Sequence, residues 1–144
     1  MEFRQANILD LESLLPLCKQ HFDKAGMSER GYTYDEHSAR VTLSQWLRDT
    51  QIFVGICEGR KGVPKGIIAF VKAISPFNHS DQYWGELLWY AEKAIAMREI
   101  FDYFVKISSG DTVRVGTPVK ASLTRFLQRR GFTLTEMSFL RHNK

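Results

Sequence analysis

Residues 83–90 read Tyr83-Trp84-Gly85-Glu86-Leu87-Leu88-Trp89-Tyr90, a strongly apolar run interrupted by one carboxylate. A run of this length and composition predicts a strand. It flows into residues 93–108, where Met97, Ile100, Phe101, Phe104 and Val105 recur at helical spacing. Ahead of it lie two more apolar segments, Gln51–Glu58 (QIFVGICE) and Lys65–Ile74 (KGIIAFVKAI). The turn Gly59-Arg60-Lys61-Gly62 joins them into an antiparallel hairpin. Pro64 stands at the start of the second strand, where a missing donor is tolerated. The polar stretch Ser75–Gln82 (SPFNHSDQ) predicts a surface loop before the central strand.

Working outward, Glu2–Ala6 alternates as a short first strand. Asp10 is a good N-cap for a helix whose apolar stripe is Leu11, Leu14, Leu15, Cys18 and Phe22. Pro16 inside that helix predicts a bend or a ragged first turn. Residues 24–31 form a loop, and Asp35 caps a second helix with Leu43, Trp46 and Leu47 on its apolar side. Beyond the third helix, Ser109-Gly110-Asp111 is a stop and Thr112–Gly116 (TVRVG) a short strand. Pro118 opens a last helix carrying Val119, Leu123, Phe126 and Leu127, and Gly131 closes it. Thr133–Leu140 predicts a final strand. The order β-α-α-β-β-β-α-β-α-β defines an α/β (α+β) domain over 1–144. Its central sheet is mixed and mostly antiparallel, with helices on both faces and a right-handed crossover to one parallel pair.

A chain of 144 residues buries enough surface to fold without a metal or disulfide. Cys18 and Cys57 fall on apolar stripes as small hydrophobes, and no Cys/His cluster has zinc-ligand spacing. The four histidines are scattered. No stretch reaches the ~20 apolar residues of a membrane span, and Met1–Gln5 lacks an apolar leader, so a cytoplasmic location is expected. The net charge of +4 suits an anionic ligand or an acidic partner. Basic residues late in the chain (Arg114, Lys120, Arg125, Arg129, Arg130, Arg141 and Lys144) read first as a solvated face, and nucleic-acid binding has no other support.

Three stretches carry a resemblance to a known family. Phe3–Leu17 is similar to the first strand and Asp-Leu-x-x-Leu-Leu-Pro-Leu helix of the GNAT (N-acetyltransferase) superfamily, and Gly85–Tyr90 looks like its fourth strand. Residues 125–132 (RFLQRRGF) look like its closing helix, which ends in Gly-Phe. The passage from Glu-Leu-Leu-Trp-Tyr through a helix to Val-Arg-Val-Gly also resembles GNAT-like proteins of bacteriophages. The resemblance implies acetyl-CoA lying between two splayed parallel strands. The main chain of Leu88, Trp89 and Tyr90 would hold the pantetheine arm, and amides at Lys93, Ala94, Ile95 and Ala96 the pyrophosphate. A base deprotonates the acceptor amine, which attacks the thioester.

Several positions depart from the family pattern. The pyrophosphate loop, Arg/Gln-x-x-Gly-x-Gly/Ala in the family, is here Ala91-Glu92-Lys93-Ala94-Ile95-Ala96, without glycine. It reads equally as a tight strand-to-helix turn. The tyrosine that usually serves as general acid is replaced by Leu127, and an asparagine near the last helix by Lys120, either a phosphate contact or a solvated lysine. Glu86 is the candidate base, since burial beside Trp84, Leu88 and Trp89 would raise its pKa; the alternative is a strand carboxylate paired with a basic side chain. Strict alternation places Trp84, Glu86 and Leu88 on one face and Leu87 and Trp89 on the other. Trp84, with Tyr32 and Tyr34 in the first interhelical loop, is the candidate acceptor-binding set. Two functions follow. One is an acetyl-CoA-dependent N-acetyltransferase acting on an amine, including an amine on a protein. The other is a catalytically inactive GNAT-fold module that binds a partner in a virion or host. An open gap between the fourth and fifth strands favours the first, and one filled by Trp89, Tyr90 or Phe126 the second.

Overall fold

A computed structural model describes residues 1–116, 121–139 and 141. Five strands, β1 (Glu2–Gln5), β2 (Ile52–Glu58), β3 (Pro64–Ser75), β4 (Asn78–Ala91) and β5 (Thr112–Arg114), lie side by side in chain order. Neighbours are antiparallel except β4 and β5, which are parallel across the intervening helix. The helices are α1 (Leu11–Lys24), α2 (Glu36–Arg48), α3 (Ala94–Ile107) and α4 (Ala121–Arg129).

The sheet is covered on both sides, which is why β2 and β3 read as nearly continuous apolar runs. Val54, Ile56, Ile67 and Ala69 pack with Leu14, Leu17 and Leu43 of α1 and α2. Phe53, Cys57, Ile68 and Phe70 face Ile100, Phe101 and Phe104 of α3 and Phe126 of α4. Phe70 and Phe104 stack with centroids 3.9 Å apart. Both cysteines are free thiols, Cys57 buried and Cys18 half-buried. Gly66 opposes Ala91, and a Cβ on it would lie 2.8 Å from Cys57 Sγ and 2.9 Å from Ala91 Cβ. Only a residue without a side chain fits between those strands.

The helix ends show local chemistry at work. Asp35 accepts from Ser38 N–H and caps α2 as expected. Asp10 is not the side-chain cap of α1. Asn7 caps the short 3-10 turn that leads into it, while Asp10 returns a bond to Asn7 N–H and pairs with Arg4. The chain enters the helix one turn earlier than the apolar stripe suggests, and Asp10 completes a capping box instead. α1 runs uninterrupted through Pro16. Gly131, at φ +86°, ends α4 with Phe132 N–H bonded to Leu127 O and Gly131 N–H to Gln128 O. That left-handed C-cap is the one its sequence position predicts.

Three further expectations need correction. Residues 78–82 are not loop: they extend β4, and the turn shrinks to Pro76 and Phe77. Phe77 N–H donates to Ser75 Oγ and Ser80 N–H to Asn78 Oδ1, so the polar residues satisfy the turn rather than forbid the strand. Residues 133–139 form no strand, and Leu134, Met137 and Phe139 are exposed. Their alternation lacks a packed face to bury it. Strict alternation along β4 also fails. Phe70 pairs with Glu86 but Ala69 with Leu88, so Leu87 is an extra, bulged residue. Trp84 and Glu86 therefore share the α3 side with Phe70, while Leu88 joins the α1 side.

Candidate functional site

The bulge in β4 coincides with the point where β5 leaves it. Tyr83, Trp84 and Gly85 pair with Thr112, Val113 and Arg114, and the parallel ladder ends there. Among the described residues, 86–91 have a strand partner only in β3. The first residue past the ladder is Glu86. Its Oε2 accepts from the main-chain N–H of Gly116 at 2.9 Å, so the side chain reaches across the opening gap. Glu86 is half-buried. Removal from water lifts its pKa to about 7, against the opposing effect of the Gly116 hydrogen bond. Among the described residues no lysine or arginine pairs with it.

The strand exits through Ala91, and Glu92 N–H bonds to Lys65 O. α3 then starts from Lys93 in an extended conformation, with no side chain capping it. The first-turn amides of a helix have no internal acceptor, and here Ala94 and Ile95 are exposed while Ala96 is buried. Glu92 pairs with Lys65 at 3.4 Å, which draws its charge toward β3. The helix end is therefore a positive pole next to an exposed lysine, with no glycine in it.

Of the side chains suspected of closing the gap, Trp89 and Phe126 are buried together on the α3 side and Tyr90 packs on the α1 side. Trp89 is core: its Nε1 donates to Met97 O at 2.8 Å and its ring lies 4.7 Å from Phe101 and 6.1 Å from Phe126. Tyr90 turns to the α1 side, where its hydroxyl donates to Gln20 Oε1 at 3.0 Å. Leu127 is buried.

The suggested acceptor residues do not share a face. Tyr32 is exposed between α1 and α2, and Tyr34 packs on Phe22 of α1 with the Lys19 ammonium 5.1 Å from its ring. Trp84 lies across the sheet, edge-on to Phe104, with Nε1 donating to Asp111 and the Lys72 ammonium 4.8 Å over its ring. Lys120 lies outside the described residues. Sequence reasoning missed Asp111, the anchor of Trp84, and Gly116, the partner of Glu86. A Gly-Asp pair at a helix end reads only as a turn, and a main-chain donor leaves no side-chain signal. The shallow recess lined by Met1, Glu2, Glu58 and the Gly59–Gly62 turn shares no residue with this gap. Among the described residues no group of acidic, cysteine or histidine side chains is placed to hold a metal, and no helix is long and apolar enough to cross a membrane.

Among the described residues the sheet is mostly antiparallel, with one parallel pair that parts at a β4 bulge before an uncapped helix, and this fold is similar to that of solved structures named as acetyltransferases. A mutant of the BH1408 protein of Bacillus halodurans superimposes with a TM-score of 0.76 over 99% of this chain and 100% of that one, at 14% identity. A predicted acetyltransferase from Clostridium acetobutylicum, solved with acetyl-CoA, gives 0.70 over 99% and 95% at 13% identity. A GNAT family acetyltransferase from Staphylococcus aureus gives 0.64 over 99% and 98% at 16% identity. At these identities the likeness is one of fold. No protein-family model matches the sequence, and no curated protein does either.

Proposed function

We propose that the protein is an acetyl-CoA-dependent N-acetyltransferase that acts on an amine, with Glu86 as the proton acceptor. The observation that carries this reading is the carboxyl group at the β4–β5 parting, held near pKa 7 by burial. A base with that pKa is half-ionised at neutral pH and takes a proton from an ammonium group as it becomes a nucleophile. The amine nitrogen then bonds to the thioester carbon and the carbon–sulfur bond breaks, releasing the thiol of CoA. Among the described residues no strand pairs with the outer main chain of 86–91, where Leu88, Trp89 and Tyr90 would hold the pantetheine arm. The uncapped amides at Ala94–Ala96, with Lys93 beside them, suit the pyrophosphate. Small side chains at Ala94 and Ala96 stand in for the usual glycines.

A second reading, a catalytically inactive scaffold that binds a protein partner, is favoured by one observation. Leu127, buried at the place where the resemblance puts a tyrosine acid, has no proton to give the departing thiolate. The test is turnover: acetyl-CoA with a panel of small amines and lysine peptides, followed by release of free thiol. Thiol release that Glu86→Gln lowers by ~100-fold or more supports the transferase reading. Tight acetyl-CoA binding with no release on any acceptor supports the scaffold.

A further inference from the structure

Gly85 is bare where the fold does not require it to be. At Gly66 a Cβ would stand 2.8 Å from Cys57 Sγ, and glycine is obligatory. At Gly85 a Cβ would meet only Tyr83 Cε2 at 3.6 Å and Val71 Cγ1 at 3.8 Å, which are ordinary contacts. Its backbone is not left-handed, and it pairs with Val71 in regular register. A glycine inside a strand weakens it, and one that packing does not demand marks a place where a ligand can come close to the main chain. The ladder fixes its direction. Trp84 and Glu86 point to the α3 side, so Tyr83 and Gly85 point to the α1 side. Arg114 stands opposite Gly85 and shares that face, its guanidinium carbon 5.4 Å from the centre of the Tyr83 ring.

The two faces of β4 differ in what stands over them here. On the α3 side Trp84, Val113 and Val115 pack against the core that holds Phe70 and Phe104. On the α1 side Val71 and Tyr83 belong to neither core, and Arg114 is exposed. Among the described residues the open route to the Glu86 carboxyl thus runs over Gly85. Glu86 Oε2 accepts from Gly116 N–H, and Oε1 is the oxygen left for an amine. Arg114 flanks the route. It already holds one carboxylate, Glu136 Oε1 at 3.5 Å, in a long pair between exposed side chains. Such a pair is weak, and a better-placed carboxylate displaces it.

We propose that the acceptor amine reaches Glu86 over Gly85 on the α1 face, and that the acceptor also bears a carboxylate, which Arg114 holds. This rests on the transferase reading above and names its substrate class. The guanidinium, set against an aromatic ring, presents a planar fork that a carboxylate matches with two parallel hydrogen bonds. With that end held, the ammonium gives one proton to Glu86 Oε1. The neutral nitrogen bonds to the thioester carbon, the carbon–sulfur bond breaks, and the second nitrogen proton ends on the departing thiol. A free amino acid and a peptide with an acidic residue beside its amine share this chemistry.

The experiment is thiol release from acetyl-CoA with acceptors matched but for one charge. ω-Amino acids are compared with their amides, and lysine peptides carrying Asp beside the lysine with those carrying Asn. The proteins are wild type, Arg114→Ala, Arg114→Lys and Gly85→Ala. The inference expects wild type to show a KM about tenfold lower for the charged member of a pair, with kcat alike. The first pair reports a free amino acid and the second a peptide; preference in either supports the inference. Arg114→Ala should erase the preference by raising that KM alone, and Arg114→Lys should restore part of it. Gly85→Ala should melt no lower than wild type and bind acetyl-CoA equally, yet raise acceptor KM about tenfold. Equal KM values for charged and neutral acceptors in both pairs, or a preference that survives Arg114→Ala, overturn the inference and leave the transferase reading intact. So does Gly85→Ala with an unchanged acceptor KM, which removes the route over Gly85. No thiol release with any acceptor overturns the transferase reading and this inference together.

Discussion

At residue scale, Glu86 is the group whose environment is most unlike its surroundings. Its folded pKa of about 7 exceeds the ordinary value of 4.5, so between those values the folded chain holds a proton that the unfolded chain releases. The burial of Glu86 is therefore without electrostatic cost below about pH 4.5, and stability falls as pH rises through 7. Glu86→Gln should abolish this fall. Thermal melts at pH 5 and pH 8 should show the variant gaining on wild type by ~1–2 kcal/mol at the higher pH, the discounted value of a partly exposed group. An equal difference at both pH values would mean that the carboxyl is ionised throughout. The residue was legible in the sequence because a lone acid within YWGELLWY has few ways to stay solvated. Its partner was not legible, since Gly116 acts through its main chain.

At the scale of elements, what the sequence disclosed and what it hid divide along one line. Helices with a periodic stripe and strands with two buried faces announce themselves, and so does the Gly131 cap. Asn7, the β4 bulge and the irregular course of residues 133–139 depend on which neighbour is present, and no local pattern encodes that. A bulge matters most here, because one extra residue moves Glu86 from the face of Leu88 to the face of Phe70. The close approach of β2, β3 and β4 is testable at Gly66. Gly66→Ala must push Cys57 Sγ or Ala91 Cβ aside and should cost about 1–3 kcal/mol in urea unfolding. Gly131→Ala should cost ~1 kcal/mol through its left-handed conformation, with α4 fraying first in hydrogen exchange. A neutral result at Gly66 would mean that the strands sit farther apart than described.

For the whole molecule, two cores on either side of one sheet give the site its rigidity. Phe101 is central to the α3 side, touching Trp89, Phe126 and Phe132. Arg130 ties the end of α4 to Asp102 of α3 through two hydrogen bonds of 2.5 and 2.8 Å. Through these contacts α3 and α4 are fixed to the strand that carries Glu86. Phe101→Ala should lose about 3–5 kcal/mol and flatten the cooperative melt, while a truncation confined to the hairpin tip at Phe77, 96% exposed, should change stability little. The likeness to solved structures named as acetyltransferases spans 99% of the chain, yet fold alone does not fix chemistry. Under the proposed function, an uncapped helix end and Lys93 would carry the cofactor's pyrophosphate. The decisive measurement is calorimetric titration of the purified protein with acetyl-CoA and CoA beside Lys93→Glu. The account predicts micromolar binding that the reversed charge weakens at least tenfold, because Lys93 stands at the α3 amides. No heat, together with no rise in melting temperature at millimolar cofactor, would contradict it.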